Sequence, residues 1–140
     1  MHPEQGTVLD RGRLRAFAQA IGEKDPRYTS VEHARIHGHP DLPVPLTYLF
    51  TLESEGQDTL AFMTSLGVDP AAVLHGEQSF SYDRQLHAGD VVELRYAVLS
   101  DVNKPNKGLR LISRRTEVVS GGSVACRLDS TWVVRTAPAG

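Results

Sequence analysis

The amino-acid sequence predicts an α+β domain in which an antiparallel sheet wraps around one central helix. Two observations predict this class. Apolar residues recur at helical spacing up to about residue 67, whereas the segments after Val73 alternate with a period of two. Short turn sequences separate the alternating segments, which is typical of antiparallel strands. Helices that precede such a run of strands are expected to pack on one face of the sheet.

Length and composition fit a single domain over residues 1–140. The chain is 40% hydrophobic and 23% charged, with a formal net charge of -2. This charge gives no broad cationic surface, so we expect no nucleic-acid partner. No segment approaches the roughly 20 apolar residues that span a membrane, so we expect no membrane partner and a cytoplasmic location. Cys126 is the single cysteine, which excludes an internal disulfide, and its alternating context predicts core packing.

Two amphipathic helices are predicted before the central one. Residues 1–9 form a lead-in, with Val8 and Leu9 expected to pack at its end. Asp10 is a typical N-cap residue, and apolar residues then recur at helical spacing as far as Gly22. A short helix from about 30 to 37 follows, because Thr29 and Glu32 stand in the capping-box relation and Gly38 is a typical helix stop.

The central helix is predicted to begin at Pro45, which can occupy a first turn because its missing N–H costs nothing there. The residues that follow are apolar nearly all round, so we expect this helix to be buried on most sides. A further helical pattern covers residues 57–66. Four strands are then predicted, over residues 73–86, 90–100, 108–120 and 123–135.

Residues 20–47 are the first candidate for a site. They bring acidic, hydroxyl and imidazole groups next to backbone that must turn sharply, and functional residues are commonly found on such loops. His33 and His37 stand four residues apart, a spacing that can share a metal. No acidic residue completes a known metal motif there, so we predict no metal and expect solvent-facing or loop-anchoring histidines.

Two other groups of polar residues have alternative interpretations. His75 and Glu77 share one face of a predicted strand and form either an acid–base pair or a polar row at a subunit interface, with Gly76 indicating close backbone approach. Basic residues lie around the third strand connection, where they suit either a phosphate-rich ligand or a solvated hairpin tip. They are Lys104, Lys107, Arg110, Arg114 and Arg115.

Four blocks of sequence together carry a resemblance to a known family. Residues 17–28 read Phe-Ala-Gln-Ala-Ile-Gly-Glu-Lys-Asp-Pro-Arg-Tyr, residues 44–48 read Val-Pro-Leu-Thr-Tyr, residues 73–80 read Val-Leu-His-Gly-Glu-Gln-Ser-Phe, and residues 132–135 read Trp-Val-Val-Arg. In these blocks the chain resembles the MaoC-like hydratase/dehydratases with the hot dog fold, in particular their N-terminal dehydratase-like subdomain. The resemblance implies a sheet around the central helix and pairing with a second hot dog unit.

The resemblance also implies an acyl thioester as ligand, carried on coenzyme A or acyl carrier protein, with no further cofactor. The catalytic loop of active relatives reads Gly-Asp-x-Asn-Pro-x-His. In this chain Glu23 stands at the Asp position, Asp25 at the Asn position and Tyr28 at the His position. These three are the predicted catalytic residues. The predicted substrate-binding residues are Pro45, Leu46, Thr47, His75 and Gly76, the first three because a helix start can present backbone N–H groups to a carbonyl. The alternative for those three is that the prolines only end a loop.

The altered loop leaves three functions open. Glu23 is ionised at neutral pH and can serve as a base, but Tyr28, with a reference pKa of about 10, cannot readily shuttle a proton. The chain is therefore either a hydratase/dehydratase acting on 3-hydroxyacyl and 2-enoyl thioesters, or a silent acyl-thioester-binding subunit that needs a catalytic hot dog partner. A hot dog thioesterase is the third alternative. In each case we expect a homodimer or higher oligomer.

Overall fold

The computed structural model describes residues 6–56 and 59–136, without the side chains of residues 54–56, 59, 60 and 75. Four helices and five strands occur in this part of the chain. In chain order they are β1 (Thr7–Val8), α1 (Arg11–Ala20), α2 (Val31–Ile36), α3 (Tyr48–Gly56), α4 (Thr59–Ser65), β2 (Val73–Tyr82), β3 (Val91–Lys104), β4 (Leu109–Ser120) and β5 (Ser123–Arg135). Short 3₁₀ turns cover Pro26–Tyr28, Pro70–Ala72 and Pro105–Lys107.

The strands form one antiparallel sheet in the order β1-β3-β4-β5-β2. The predicted α+β class is therefore confirmed. All four predicted strands are present, although the first ends at Tyr82 and the second continues to Lys104. The short β1 strand was not predicted. It pairs with only two residues of β3, so most of β3 forms one edge of the described sheet, and β2 forms the other.

The main core lies between α3 and the middle of the sheet. Tyr48, Leu49 and Leu52 project from α3 into a buried cluster that contains Val118 from β4 and Leu128 from β5. Alternate residues of β4 and β5 are buried, because successive side chains of a strand point to opposite faces. Cys126 belongs to this core and is fully buried, as predicted.

The central helix differs from its prediction in two respects. It begins at Tyr48, three residues after Pro45, because pairing of the preceding segment with another part of the chain holds that segment out of the helix. The Val44 N–H donates to the Leu86 carbonyl at 2.9 Å in this pairing. The helix is also not buried all round, since Leu46 is 66% exposed just before it and Phe50 is 44% exposed on it.

The ends of the first two helices follow from capping. The Asp10 carboxylate accepts from the Arg13 N–H, as predicted, and Ser30 caps α2 by accepting from the His33 N–H. The predicted Thr29 cap was therefore one residue early. Leu9 is buried as expected, whereas Val8 lies on the surface.

The helices of residues 6–56 and 59–136 are all too short to cross a bilayer. The predicted helix start at residue 57 lies outside the described residues.

Candidate functional site

The loop after α1 is held in a tight local turn. Gly22 adopts a φ of 74°, a left-handed conformation that favours glycine, and so turns the chain away from α1. The Asp25 carboxylate then accepts from the Arg27 N–H at 3.0 Å and caps the 3₁₀ turn that ends at Tyr28. Glu23 Oε1 in turn accepts from the Asp25 N–H at 3.0 Å. The three predicted catalytic residues therefore lie on one short, internally hydrogen-bonded loop.

The electrostatics of this loop favour a structural role for one carboxylate. The hydrogen bond from the Arg27 N–H lowers the pKa of Asp25, and the guanidinium of Arg27, with its Nε 2.9 Å from Asp25 Oδ2, lowers it further. A carboxylate stabilised in its charged form is a poor proton acceptor. Glu23 is exposed and Tyr28 is half-buried, so a reacting group could approach Glu23 more readily than Asp25.

The histidines contact nearby polar groups, and one pair of histidines is distant in the chain. His37 Nδ1 lies 2.9 Å from the His33 carbonyl, and His33 Nδ1 lies 3.1 Å from Ser30 Oγ. His39 Nδ1 lies 3.0 Å from His87 Nε2. Burial of the His87 ring lowers its pKa, and the neighbouring His39 lowers it further. Within residues 6–56 and 59–136, no three His, Cys, Asp or Glu side chains are grouped as metal ligands would be.

A first cavity of about 280 Å³ opens beside the start of α3. It contains one of the predicted binding residues, Leu46. Pro45 is buried and Thr47 is exposed, and neither lines this cavity. Burial in this region raises the pKa of the lining residue Tyr82 to about 12, so its phenol is neutral at physiological pH. The complete lining is Val44, Leu46, Leu49, Tyr82, Asp83, Arg84, Gln85 and Leu86.

A second cavity, of about 400 Å³, lies between the middle of α3 and the strands β2, β4 and β5. Another predicted binding residue, Gly76, lines it together with Glu77. A Cβ atom added at Gly76 would make only ordinary contact with Trp132, at 3.8 Å, so no close backbone approach requires the glycine. The side chain of His75 lies outside the described part of the structure. The complete lining is Phe50, Glu53, Gly76, Glu77, Gln78, Arg114, Ser130 and Trp132.

The basic residues around the third strand connection do not act as one group in the structure. The Arg114 side chain is only 1% exposed and points into the core, 3.4 Å from Glu53. Arg110 pairs with Asp101, and Arg115 pairs with Asp129. Arg114 therefore fits neither of the two alternatives, because it projects from the core side of its strand.

The predicted site residues do not lie together: the three predicted catalytic residues lie on the loop of residues 22–28, Leu46 lines the first cavity and Gly76 lines the second. Among the described residues that line the two cavities, none belongs to that loop. Sequence reasoning also missed the polar lining of the second cavity, above all Glu53, Gln78 and Arg114. A signal was present, because Arg114 stands in phase with Ile112 and Thr116 on a strand whose alternate residues are buried.

The comparisons with known proteins agree with this architecture. The sequence model of the family "FAS1-like, dehydratase domain region" matches residues 2–127. The chain belongs to this dehydratase family. A UPF0336 protein of Saccharopolyspora erythraea is 32% identical over 134 residues, which cover 95% of this chain and 85% of that relative.

Solved structures of dehydratases share the fold of this family member. One is the C-terminally truncated HadBC complex, a (3R)-hydroxyacyl-ACP dehydratase of Mycobacterium tuberculosis. It has a TM-score of 0.77 and 21% identity over 93% of this chain and 90% of that chain. A MaoC-like dehydratase reaches a TM-score of 0.81 with 23% identity, over 96% of this chain and 40% of that longer chain. The predicted MaoC-like family and hot dog fold are confirmed.

Proposed function

We propose that this dehydratase-family protein is an acyl-thioester-binding subunit whose own loop performs little or no acid–base chemistry. Coenzyme A or acyl carrier protein would carry the acyl group. The proposal rests on the pairing and the residue types found in the loop of residues 22–28. Its Asp25 carboxylate is held by Arg27, and Tyr28 stands where related enzymes have a histidine. A neutral phenol donates a hydrogen bond but does not accept a proton readily near neutral pH.

A partner that supplies the missing acid and base is the second part of the proposal. The MaoC-like dehydratase chain similar to this one is more than twice as long as the matched segment, and HadBC is a complex. An assembly of two hot dog units, either two copies of this chain or this chain with a catalytic partner, would reproduce that arrangement. We also propose a cytoplasmic location, where such thioester carriers are available.

A self-sufficient hydratase is the competing function, and the exposure of Glu23 favours it. The experiment is to add crotonyl-CoA to the purified full chain and follow enoyl absorbance, with binding measured separately by calorimetry. We expect saturable binding without turnover. Hydration that falls at least about tenfold in Glu23→Gln would refute the silent subunit. Glu32→Gln, which removes another exposed carboxylate from nearby α2, is the matched control.

Two further readouts separate the remaining functions. Release of free thiol from an acyl-CoA without loss of enoyl absorbance would identify a thioesterase. Tyr28→His restores the imidazole of related enzymes, so we expect it to raise hydration above background if Glu23 and the acyl group are correctly arranged. Absence of binding to crotonyl-CoA in any assembly state, checked by native mass measurement, would contradict the proposed function as a whole.

A further inference from the structure

The second cavity has a polar floor built across three neighbouring strands. Gln78 of β2 stands opposite Ser130 of β5, and Ser130 stands opposite Arg114 of β4, so these side chains form a row on the face of the sheet toward α3. Glu53 of α3 meets the row from the helix side, with its Oε1 3.4 Å from Arg114 Nη2. The side chains of Arg114 and Glu53 are only 1% and 4% exposed. All four residues line the cavity.

The guanidinium of Arg114 is held in place by aromatic rings. Its Cζ atom lies 4.6 Å from the ring centroid of Phe62, 5.0 Å from that of Tyr96 and 5.1 Å from that of Trp132. Such rings attract a cation through their electron-rich faces, but they do not replace conventional hydrogen-bond acceptors. The charge of Arg114 is therefore positioned while part of its donor capacity stays unused.

Several buried polar atoms of this floor have no hydrogen-bond partner in the described part of the chain. They are Arg114 Nε and Nη1, Gln78 Nε2 and Glu53 Oε2. The Ser130 hydroxyl donates to Gln78 Oε1 at 2.5 Å, which occupies the carbonyl side of the amide and leaves its NH₂ group available. A buried polar atom without a partner is unfavourable, so a polar group that enters the cavity would recover part of that cost.

We propose that the second cavity is a binding site for a neutral, oxygen-bearing group, a hydroxyl or a carboxamide, on a small and otherwise apolar ligand. Three unpartnered donor atoms and one unpartnered acceptor favour a group whose oxygen accepts hydrogen bonds and which also offers a hydrogen to Glu53 Oε2. The opposite charges of Arg114 and Glu53 balance, which favours a neutral ligand over an ion. Phe50 and Trp132 supply apolar wall, and 400 Å³ lies within the usual range of small-molecule pockets.

The probe for this site is hexanamide, which combines one carboxamide with a short apolar chain. It is titrated into the ¹⁵N-labelled full chain and followed by ¹H–¹⁵N NMR. We expect saturable shifts at the amides of Gly76 and Gln78 and at the indole N–H of Trp132. The double variant Glu53→Leu, Arg114→Met removes both charged groups of the polar floor while keeping much of their bulk, and should weaken binding by about tenfold or more.

A matched double variant controls for the loss of an ion pair as such. Asp101→Leu, Arg110→Met removes another pair that bridges neighbouring strands and does not line the cavity, so its affinity for hexanamide should equal that of the unmodified protein. If the first double variant fails to fold, Gln78→Leu replaces it, with an expected loss of about threefold to tenfold.

The outcomes separate this site from the proposed thioester function. Absence of saturable shifts, or equal affinity in the floor variant and the unmodified protein, overturns the inference. Crotonyl-CoA is titrated into the same samples. Binding of the thioester without binding of hexanamide contradicts only the polar site, and the reverse result contradicts only the proposed function.

Discussion

The buried pair between Arg114 and Glu53 gives the sharpest test of how this fold is held together. Arg114→Met leaves the Glu53 carboxylate enclosed, with its side chain 4% exposed, and takes away its counter-charge. Removing one partner of a buried ion pair costs about 3–5 kcal/mol of unfolding free energy, because the remaining charge stays desolvated. For a chain of 140 residues this corresponds to a fall in melting temperature of roughly 10–15 °C.

Removing both charges should be far less harmful. Leu at position 53 and Met at position 114 are apolar side chains that fill much of the same volume, and replacing a buried pair in this way is often neutral or stabilising. We therefore expect the double variant to stay within about 1 kcal/mol of the unmodified protein. Glu53→Leu alone should lose about as much as Arg114→Met alone, because it leaves the arginine without its partner.

The assay is urea unfolding followed by far-UV circular dichroism for the unmodified protein, both single variants and the double variant. The four values form a double-mutant cycle that isolates the coupling between the two side chains. A loss below about 1 kcal/mol for Arg114→Met would show that the guanidinium is accessible to water and would refute this reasoning. A double variant as unstable as either single one would place the stabilisation in the aromatic contacts of Arg114 instead.

Two further predictions concern titratable groups away from the second cavity. Burial and the neighbouring His39 lower the pKa of His87, so the unfolded chain binds that proton more readily, and the urea midpoint should fall as the pH drops from about 7 to about 5. His87→Gln should flatten this dependence, and an unchanged slope would contradict the assignment. Burial, and to a smaller extent the nearby Asp83, raises the pKa of Cys126 from 9.0 to about 11, so at pH 8 its native thiol should react with Ellman's reagent about 100-fold more slowly than in guanidinium chloride. Rapid reaction in the native state would show that this thiol is accessible.

Much of the fold could be predicted because its determinants are local. The period of two after Val73 places alternate residues on opposite faces, and the four strands appear where that pattern occurs. Asp10 ends up as a cap because a short carboxylate can reach the first free N–H groups of a helix. The two-residue strand β1 escaped prediction because so short a segment carries no periodicity.

The start of α3 could not be predicted from local sequence. Proline at position 45 is compatible with a first helical turn, but residues 42–44 just before it pair with residues 86–88, which are distant in the chain. The exposure of Leu46 and Phe50 has a similar origin, since an apolar side chain is buried only where another element covers it. Both errors concern contacts between distant segments.

The class of the fold, its strands, the dehydratase-family resemblance and the composition of the altered loop were all predictable from the sequence, because each depends on residue types at short spacing. Folding was needed to show that Arg27 pairs with Asp25 and that the Arg114 side chain is buried against Glu53. It also gathered Gln78 and Ser130 beside that pair. The physical reason is that burial and pairing depend on which strands become neighbours and which face a helix covers, and these are properties of the folded chain as a whole.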